Sequence, residues 1–382
     1  MMKIAVLGTR GFPDIQGGVE SHCEHLYPRL VRKGCDVTIF TREPYTGNAV
    51  REYEGVKLLP LRCPKNKFLE AFIHTFIGVF AAKRIDPDIL HIHAIGPSVF
   101  VPLARFLGMR VVMTNHGPDY KRKKWGIFAR IVLRAGETAG SIFSNEVICI
   151  SSHIGDDIAG RFKRRVFVIP NGVDVKSPSE SQEMLKKYSL AKNRYILAVG
   201  RFVPEKGFGD LIDAFSLIQG GMIAGEKWKL VIVGASDHKD RYAASIEERA
   251  GRNPDIVLTG SLTGTALEEL YSHAGLFVLP SYYEGMPIVL LEAMSYGLSC
   301  IASDIPPNKK LGLADERYFK VGDIHELKEK ISIFAGMLKQ EHKKCQIELV
   351  RKRFNWDDVA IETLNVYMVE GLKCQCHSKR IQ

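Results

Sequence analysis

Short apolar, β-branched runs alternate with longer amphipathic stretches along almost the whole chain. In the first half this pattern predicts strands over 3–7, 36–40, 56–60, 89–92, 110–114, 146–150 and 166–169. Helical periodicity lies between them over 19–33, 69–84 and 98–107. The runs are nearly continuous rather than strictly alternating, which implies parallel strands in a sheet covered on both faces. The pattern pauses at Pro170-Asn171-Gly172-Val173-Asp174 and the polar stretch 176–193, then restarts with strands over 195–199, 229–233, 256–259, 276–279 and 299–302. Turn residues followed by a charged, weakly periodic run mark a boundary. Two α/β domains are therefore expected, over 1–172 and 193–355. An amphipathic helix over 356–373 is expected to pack back on the first domain, ahead of a flexible tail over 374–382.

A length of 382 residues fits two hydrophobic cores better than one. Apolar residues at 46% and charged residues at 25% are the balance of a soluble globular chain, and the net charge of +10 favours anionic partners. Basic residues are spread out and no nucleic-acid recognition module is visible, so no nucleic-acid partner is expected. No segment reaches the roughly 20 apolar residues of a membrane span. Met1-Met2-Lys3 leads straight into a strand rather than a signal sequence, and eight cysteines are scattered singly, as suits a cytoplasmic protein. Cys374, Cys376 and His377 form a small cluster without a second ligand pair, so a frayed terminus is the simpler reading.

Three loops carry the candidate chemistry. The first strand runs into Gly8-Thr9-Arg10-Gly11 and then Gln16-Gly17-Gly18, ahead of a helix. Glycines at such a turn serve either close helix packing or approach to an anion. The spacing departs from the dinucleotide fingerprint Gly-x-Gly-x-x-Gly, with a bulky Arg10 inside it, which argues against a dehydrogenase. In the second domain, strand 195–199 ends in Gly200-Arg201-Phe202-Val203-Pro204-Glu205-Lys206-Gly207. Two cations at the carboxyl end of a parallel strand suit a diphosphate, Arg201 as a fork and Lys206 as a point charge. After strand 276–279 comes Pro280-Ser281-Tyr282-Tyr283-Glu284-Gly285-Met286-Pro287, then a helix expected over 286–296 with Pro287 in its first turn and Gly297 at its end. Glu284 precedes that helix. Glu292 lies within it among apolar neighbours and needs a partner.

Together these segments resemble the retaining glycosyltransferase family 4 of the GT-B fold: 200–207, the two glutamates with seven residues between them, Gly17-Gly18, Ile169-Pro170-Asn171-Gly172-Val173-Asp174 and Trp356-Asp357-Asp358-Val359-Ala360. The resemblance spans essentially the whole chain. It implies two Rossmann-like domains facing across a deep cleft, and transfer of a hexosyl-type unit from an NDP-sugar to a saccharide or lipid-linked acceptor with retention. It implies that Arg201 and Lys206 hold the donor diphosphate, that Glu292 binds the ribose and Glu284 the transferred sugar with Gly285, Met286 and Pro287 beside it, and that Gly17 and Gly18 lie against donor or acceptor. It also implies that His116, in Thr114-Asn115-His116-Gly117, is the histidine near the sugar, and that no metal or cofactor is required. The run Gly285-Met286-Pro287 is shorter than the family's usual one, and Pro307 stands where a glycine is usual, so the resemblance leaves the donor sugar open.

Other features weigh less. Asp86-Pro87-Asp88 fits an Asp-x-Asp metal motif but also a simple turn, which the proline and the following strand favour. His91 and His93 share one face of a strand and, with no third ligand in register, read as polar groups of the core or cleft. The basic, aromatic segment 121–130 and the apolar stretch 68–80 suit either solvated faces or peripheral contact with an anionic membrane. A sugar-nucleotide epimerase of the same fold and a non-catalytic nucleotide-sugar-binding protein remain as alternative functions.

Overall fold

The computed structural model describes the backbone of residues 1–47, 50–66, 69–121, 126–236, 241–335, 337 and 340–378, and the side chains of these except 340–342 and 370–378. The chain divides into two units, Met1–Gly172 with Trp356–Gln382, and Val173–Asn355.

Among the described residues the first unit carries eight strands, β1 (Lys3–Leu7), β2 (Asp36–Arg42), β3 (Glu52–Tyr53), β4 (Val56–Leu61), β5 (Ile89–His93), β6 (Val111–Asn115), β7 (Glu146–Cys149) and β8 (Phe167–Val168). They form one sheet in the order β3-β4-β2-β1-β5-β6-β7-β8, parallel except for β3 against β4. β1 pairs with β2 on one side and β5 on the other, with Ile4 opposite Val37 and Ile89. Its alternation fills two cores. Ile4 and Val6 pack with Leu26, Leu30 and Trp356, while Ala5 and Leu7 pack with Phe40, Val79 and Ala82 on the opposite face. This is why the strands are apolar throughout.

Trp356 opens the terminal helix, Trp356–Ser378, which packs against the helix Gly18–Arg32. The indole is buried, and a Cβ on Gly172 would lie 2.6 Å from it, so only glycine fits there. The helix continues past the expected end at 373 and through positions 374, 376 and 377. The side chains of Cys374, Cys376 and His377 lie outside the described residues. The Asp86-Pro87-Asp88 segment ends the helix Glu70–Ile85, with Asp86 left-handed at its cap, and the Asp88 carboxylate accepts the Lys3 N–H at 2.7 Å. It is a turn that fastens the start of β1.

The second unit carries β9 (Tyr195–Val199), a hairpin of β10 (Met222–Ile223) and β11 (Glu226–Lys227), β12 (Lys229–Val233), β13 (Ile256–Gly260), β14 (Leu276–Leu279), β15 (Cys300–Ser303) and β16 (Tyr318–Phe319). Its main sheet has the order β13-β12-β9-β14-β15-β16 and is parallel. Tyr195, Leu197 and Val199 enter one core, and Ile196 and Ala198 the other. The order of the parallel strands reverses between β1 and β5 in the first sheet and between β9 and β14 in the second. Ligands of open α/β sheets bind beyond the carboxyl ends of strands at such a reversal.

The pattern and the structure differ in detail. β2 runs on through Thr41 and Arg42, polar residues whose backbone still pairs with β4 and with the loop after β1. β3, the hairpin and β16 are two-residue strands, too short for any periodicity. The helix expected over 98–107 is a 3₁₀ turn, Pro97–Phe100, followed by a short helix, Val101–Phe106. The segment 122–125 and residue 68 of the apolar stretch lie outside the described residues.

Candidate active site

In the second unit the two loops at the reversal are tied together. After β9, Pro204–Lys206 makes one 3₁₀ turn and Gly207, at φ +67°, turns the chain into the helix Phe208–Ser216. Lys206 Nζ reaches across to donate to Glu284 Oε1 at 2.7 Å. The same carboxylate oxygen accepts from Ser281 Oγ at 2.7 Å. A main-chain bond from the Tyr282 N–H to the Glu205 carbonyl, 2.8 Å, joins the loops again. Behind them, Ser303 Oγ donates to the Ser281 carbonyl at 2.5 Å, and Asn308 Nδ2 donates at 3.0 Å to both the carbonyl and the Oγ of Ser303. Pro307 belongs to the short helix Pro306–Lys309 that holds Asn308 in place. The Glu284 carboxylate is thus held by two donors on one oxygen, Lys206 and Ser281, with side-chain exposure of 10% against 19% for Lys206. Arg201 lies in the same loop as Lys206, partly exposed.

The helix after Glu284 spans Ile288–Ser295, with Pro287 as its cap rather than in its first turn, and Gly297 left-handed beyond its end. Gly285 and Met286 are half-buried in the approach to it. Glu292 has a partner: Tyr271 donates to its Oε2 at 2.8 Å, and Tyr271 itself stacks on Tyr296 with centroids 5.6 Å apart. Burial first, and then the Glu292 charge, push the Tyr271 hydroxyl well above its ordinary range, so it stays a donor. Sequence reasoning required a partner for Glu292 but had no means of naming Tyr271, twenty-one residues upstream.

In the first unit, the loop after β1 is closed by an internal ion pair. Arg10 is buried, its Nε donating to Glu20 Oε1 at 3.1 Å and its guanidinium over Tyr45. Gly17 caps the helix that begins at Gly18, and a Cβ on Gly17 would fall on the Glu20 carboxylate. A Cβ on Gly8, at φ +104°, would meet the His93 carbonyl at 2.1 Å, so this glycine lets β1 and β5 end side by side. At those ends lies a group of histidines. His116, just after β6, sets Nε2 3.0 Å from His93 Nδ1. His93 Nε2 meets Tyr27 OH at 2.5 Å, and His91 links Thr114 Oγ1 at 2.7 Å to Tyr367 OH at 2.6 Å. His22, from the helix Gly18–Arg32, packs between His93, His116 and Trp356. His91 and His93 are buried polar groups, as their place on β5 suggests, and their partners come from two helices, through His22, Tyr27 and Tyr367, and from β6 and the loop after it, through Thr114 and His116.

Residues 16–177 match the family described as Glycosyltransferase Family 4, and residues 180–346 match Glycosyl transferases group 1. The chain is also 26% identical, over 96% of its length and 98% of the relative's, to an uncharacterized glycosyltransferase of Methanocaldococcus jannaschii. The chain belongs to the group 1 glycosyltransferases. This glycosyltransferase is 30% identical to a GDP-mannose:cellobiosyl-diphosphopolyprenol alpha-mannosyltransferase of Xanthomonas campestris, over 61% of this chain and 60% of the other. Its fold is GT-B. A solved structure of Anabaena HepE in complex with UDP-glucose superposes with a TM-score of 0.76 at 18% identity, covering 96% of this chain and all of that one.

The glycosyltransferase keeps its histidine group neutral. Burial, followed by the neighbouring His25, lowers His22 to about 4, and burial with the nearby His22 lowers His91 to about 3. His93 and His116 are pushed well below their usual range by burial and by one another's neighbours. Acid is therefore expected to unfold this unit. The unfolded chain takes up protons near pH 6.5 while the native rings do not, so stability is fully present above pH 6.5 and declines as pH falls towards 4. His22 alone accounts for a loss on the order of 3 kcal/mol at pH 4. Urea midpoints followed by tryptophan fluorescence test this, and a midpoint unchanged between pH 7.5 and 4.5 contradicts it.

Proposed function

We propose that this glycosyltransferase moves a hexosyl unit from an NDP-sugar to a hydroxyl of a saccharide or lipid-linked acceptor, with retention, in polysaccharide or glycolipid assembly. The observation that carries this reading is the Lys206–Glu284 pair at the strand reversal, with Arg201 in the same loop. A donor diphosphate draws Lys206 onto its oxygens, and the Glu284 carboxylate, still held by Ser281, turns to the hydroxyls of the sugar. The bond from the anomeric carbon to phosphate oxygen breaks, the acceptor oxygen bonds to that carbon on the same face, and its proton passes to the departing phosphate. Arg201 and Lys206 stabilise the charge on the leaving group, so no metal ion is required for the transfer. His116 lies beside the sugar, and Glu292 takes the ribose hydroxyls.

The acceptor class draws support from the surface of the first unit. Among the described residues no helix is long and apolar enough to cross a membrane. Yet Phe72, Phe76 and Phe80 on the helix Glu70–Ile85, and Ile127, Phe128 and Ile131 on the helix Ile127–Phe143, are exposed. Both helices pack against the 3₁₀ turn Pro97–Phe100. Their acidic residues, Glu70 and Glu137, are buried against Arg42 and Arg161, whereas Arg84, Arg130 and Arg134 are exposed. Apolar rings rimmed by cations suit the surface of an anionic bilayer, where a lipid-linked acceptor resides.

The test is a thermal-shift screen of nucleoside diphosphates and NDP-sugars, followed by release of free NDP in EDTA with a diphosphopolyprenol-linked saccharide, with and without anionic vesicles. One donor family is expected to raise Tm, Arg201→Ala is expected to abolish the shift, and vesicles are expected to accelerate release. If no nucleotide raises Tm and Arg201→Ala changes nothing, the reading fails. Donor turnover without acceptor would favour the epimerase.

A further inference from the structure

His22, His93 and His116 come from three separate elements, yet one ring nitrogen of each lies within 4.8 Å of the other two. Their ring centroids are 5.4 Å (His22–His93), 5.0 Å (His22–His116) and 5.2 Å (His93–His116) apart. Three imidazoles on a tetrahedral zinc ion at about 2.0–2.1 Å place their centroids roughly 5 Å apart. The rings therefore already stand at the separations of a three-histidine centre. We propose that His22, His93 and His116 form a binding site for a divalent transition-metal ion such as Zn²⁺.

The outer contacts of the rings agree with this assignment. Ligating histidines usually bond through their other ring nitrogen to a fixed partner, which sets the ring and its tautomer. His22 Nδ1 donates to Asn171 Oδ1 at 2.8 Å, which leaves Nε2 with its lone pair. His93 Nε2 is held by Tyr27 OH, which leaves Nδ1 facing His116. In the metal-free site His93 Nδ1 and His116 Nε2 share one proton across 3.0 Å. An ion takes that position, and the proton moves to the outer nitrogen of the ring that carried it. Among the described residues no carboxylate joins the group, so the donor set is all imidazole, which suits Zn²⁺, Cu²⁺ or Ni²⁺ rather than Mg²⁺ or Ca²⁺. His22 and His93 are buried and His116 is partly exposed, so the ion enters past His116 and keeps a coordination position there for a solvent or ligand oxygen.

This site rests on ring geometry and shares His116 with the sugar-transfer reading, but its test reads the metal directly, so its failure and the failure of that reading are distinguishable. Co²⁺ titrated into the untagged full chain is expected to give visible d–d absorption saturating at one ion per chain, displaced by Zn²⁺. His116→Gln, at the partly exposed ring, is expected to keep the fold by circular dichroism and to weaken binding at least 100-fold. The exposed His153→Ala should leave binding unchanged. X-ray absorption of the zinc-loaded wild type is expected to show three imidazole ligands, a readout that needs no variant to fold. No stoichiometric absorption, undiminished binding by His116→Gln, or a zinc shell without three imidazoles overturns the proposal.

Discussion

Lys206→Ala is expected to lower kcat/KM by about 10²–10³-fold, the usual cost of removing one preorganised charge from a developing anion. The substitution acts on two groups at once. On the proposed mechanism it removes a cation from the leaving diphosphate, and it leaves Glu284 without the counter-ion that stands 2.7 Å away. An unpaired buried carboxylate destabilises a fold by roughly 3–5 kcal/mol, less here because the Lys206 side chain retains 19% exposure and Ser281 still donates to Glu284. A loss of about 1–3 kcal/mol in urea is therefore expected. The two effects separate in the double variant Lys206→Ala with Glu284→Gln. Neutralising the orphaned carboxylate should restore most of the stability, whereas activity should fall further. Lys206→Arg should keep the fold and part of the activity, since it returns the charge in a different shape. If Lys206→Ala loses stability but turns over donor at the wild-type rate once folded, then Lys206 is a structural partner of Glu284 and has no role at the phosphates.

The parts of this enzyme legible in its sequence are those set by local pattern. Apolar runs such as Tyr195–Val199 announce buried parallel strands, because both faces of each strand enter a core. The glycine and proline punctuation placed Arg201, Lys206 and Glu284 in loops after strands, where the structure has them. What stayed hidden depends on which strands become neighbours. Gly200–Gly207 and Ser281–Glu284 meet only because β9 and β14 flank the reversal of the second sheet. The histidine group needed the same information in the first sheet. His93 and His116 share an environment because β5 pairs with β6, and His22 joins them from a helix. Arg10 was read by its bulk, as an obstacle in a glycine loop, and its pairing with Glu20 follows only from the way the helix at Gly18 turns back over the loop. Local spacing reports a residue's element and face, but not the partner supplied by a distant one.

That dependence on neighbouring strands makes Gly207→Ala a damaging single methyl group in the loops after β9 and β14. Gly207 sits at φ +67°, ψ +19°, so any Cβ costs about 1–2 kcal/mol in that left-handed conformation. A Cβ there would also lie 2.1 Å from the carbonyl oxygen of Pro280, the residue that leads β14 towards Glu284. A carbonyl oxygen of the main chain does not rotate aside as a side chain does, so one loop must move, at about a further 1–3 kcal/mol. The combined loss of roughly 2–5 kcal/mol is a large part of a typical domain's stability. Relief of the clash pushes apart the segments joined by the Lys206–Glu284 and Tyr282–Glu205 bonds. Donor binding should therefore weaken even in molecules that stay folded. The expected outcome is a lower urea midpoint together with a raised KM for donor at temperatures where circular dichroism is native. Gly209→Ala supplies the control, since a Cβ there would meet the flexible end of Arg249 and no main-chain atom. It should cost little stability and leave KM unchanged. Equal effects from both alanines would show that the approach of Gly207 to Pro280 does not govern the placement of these loops.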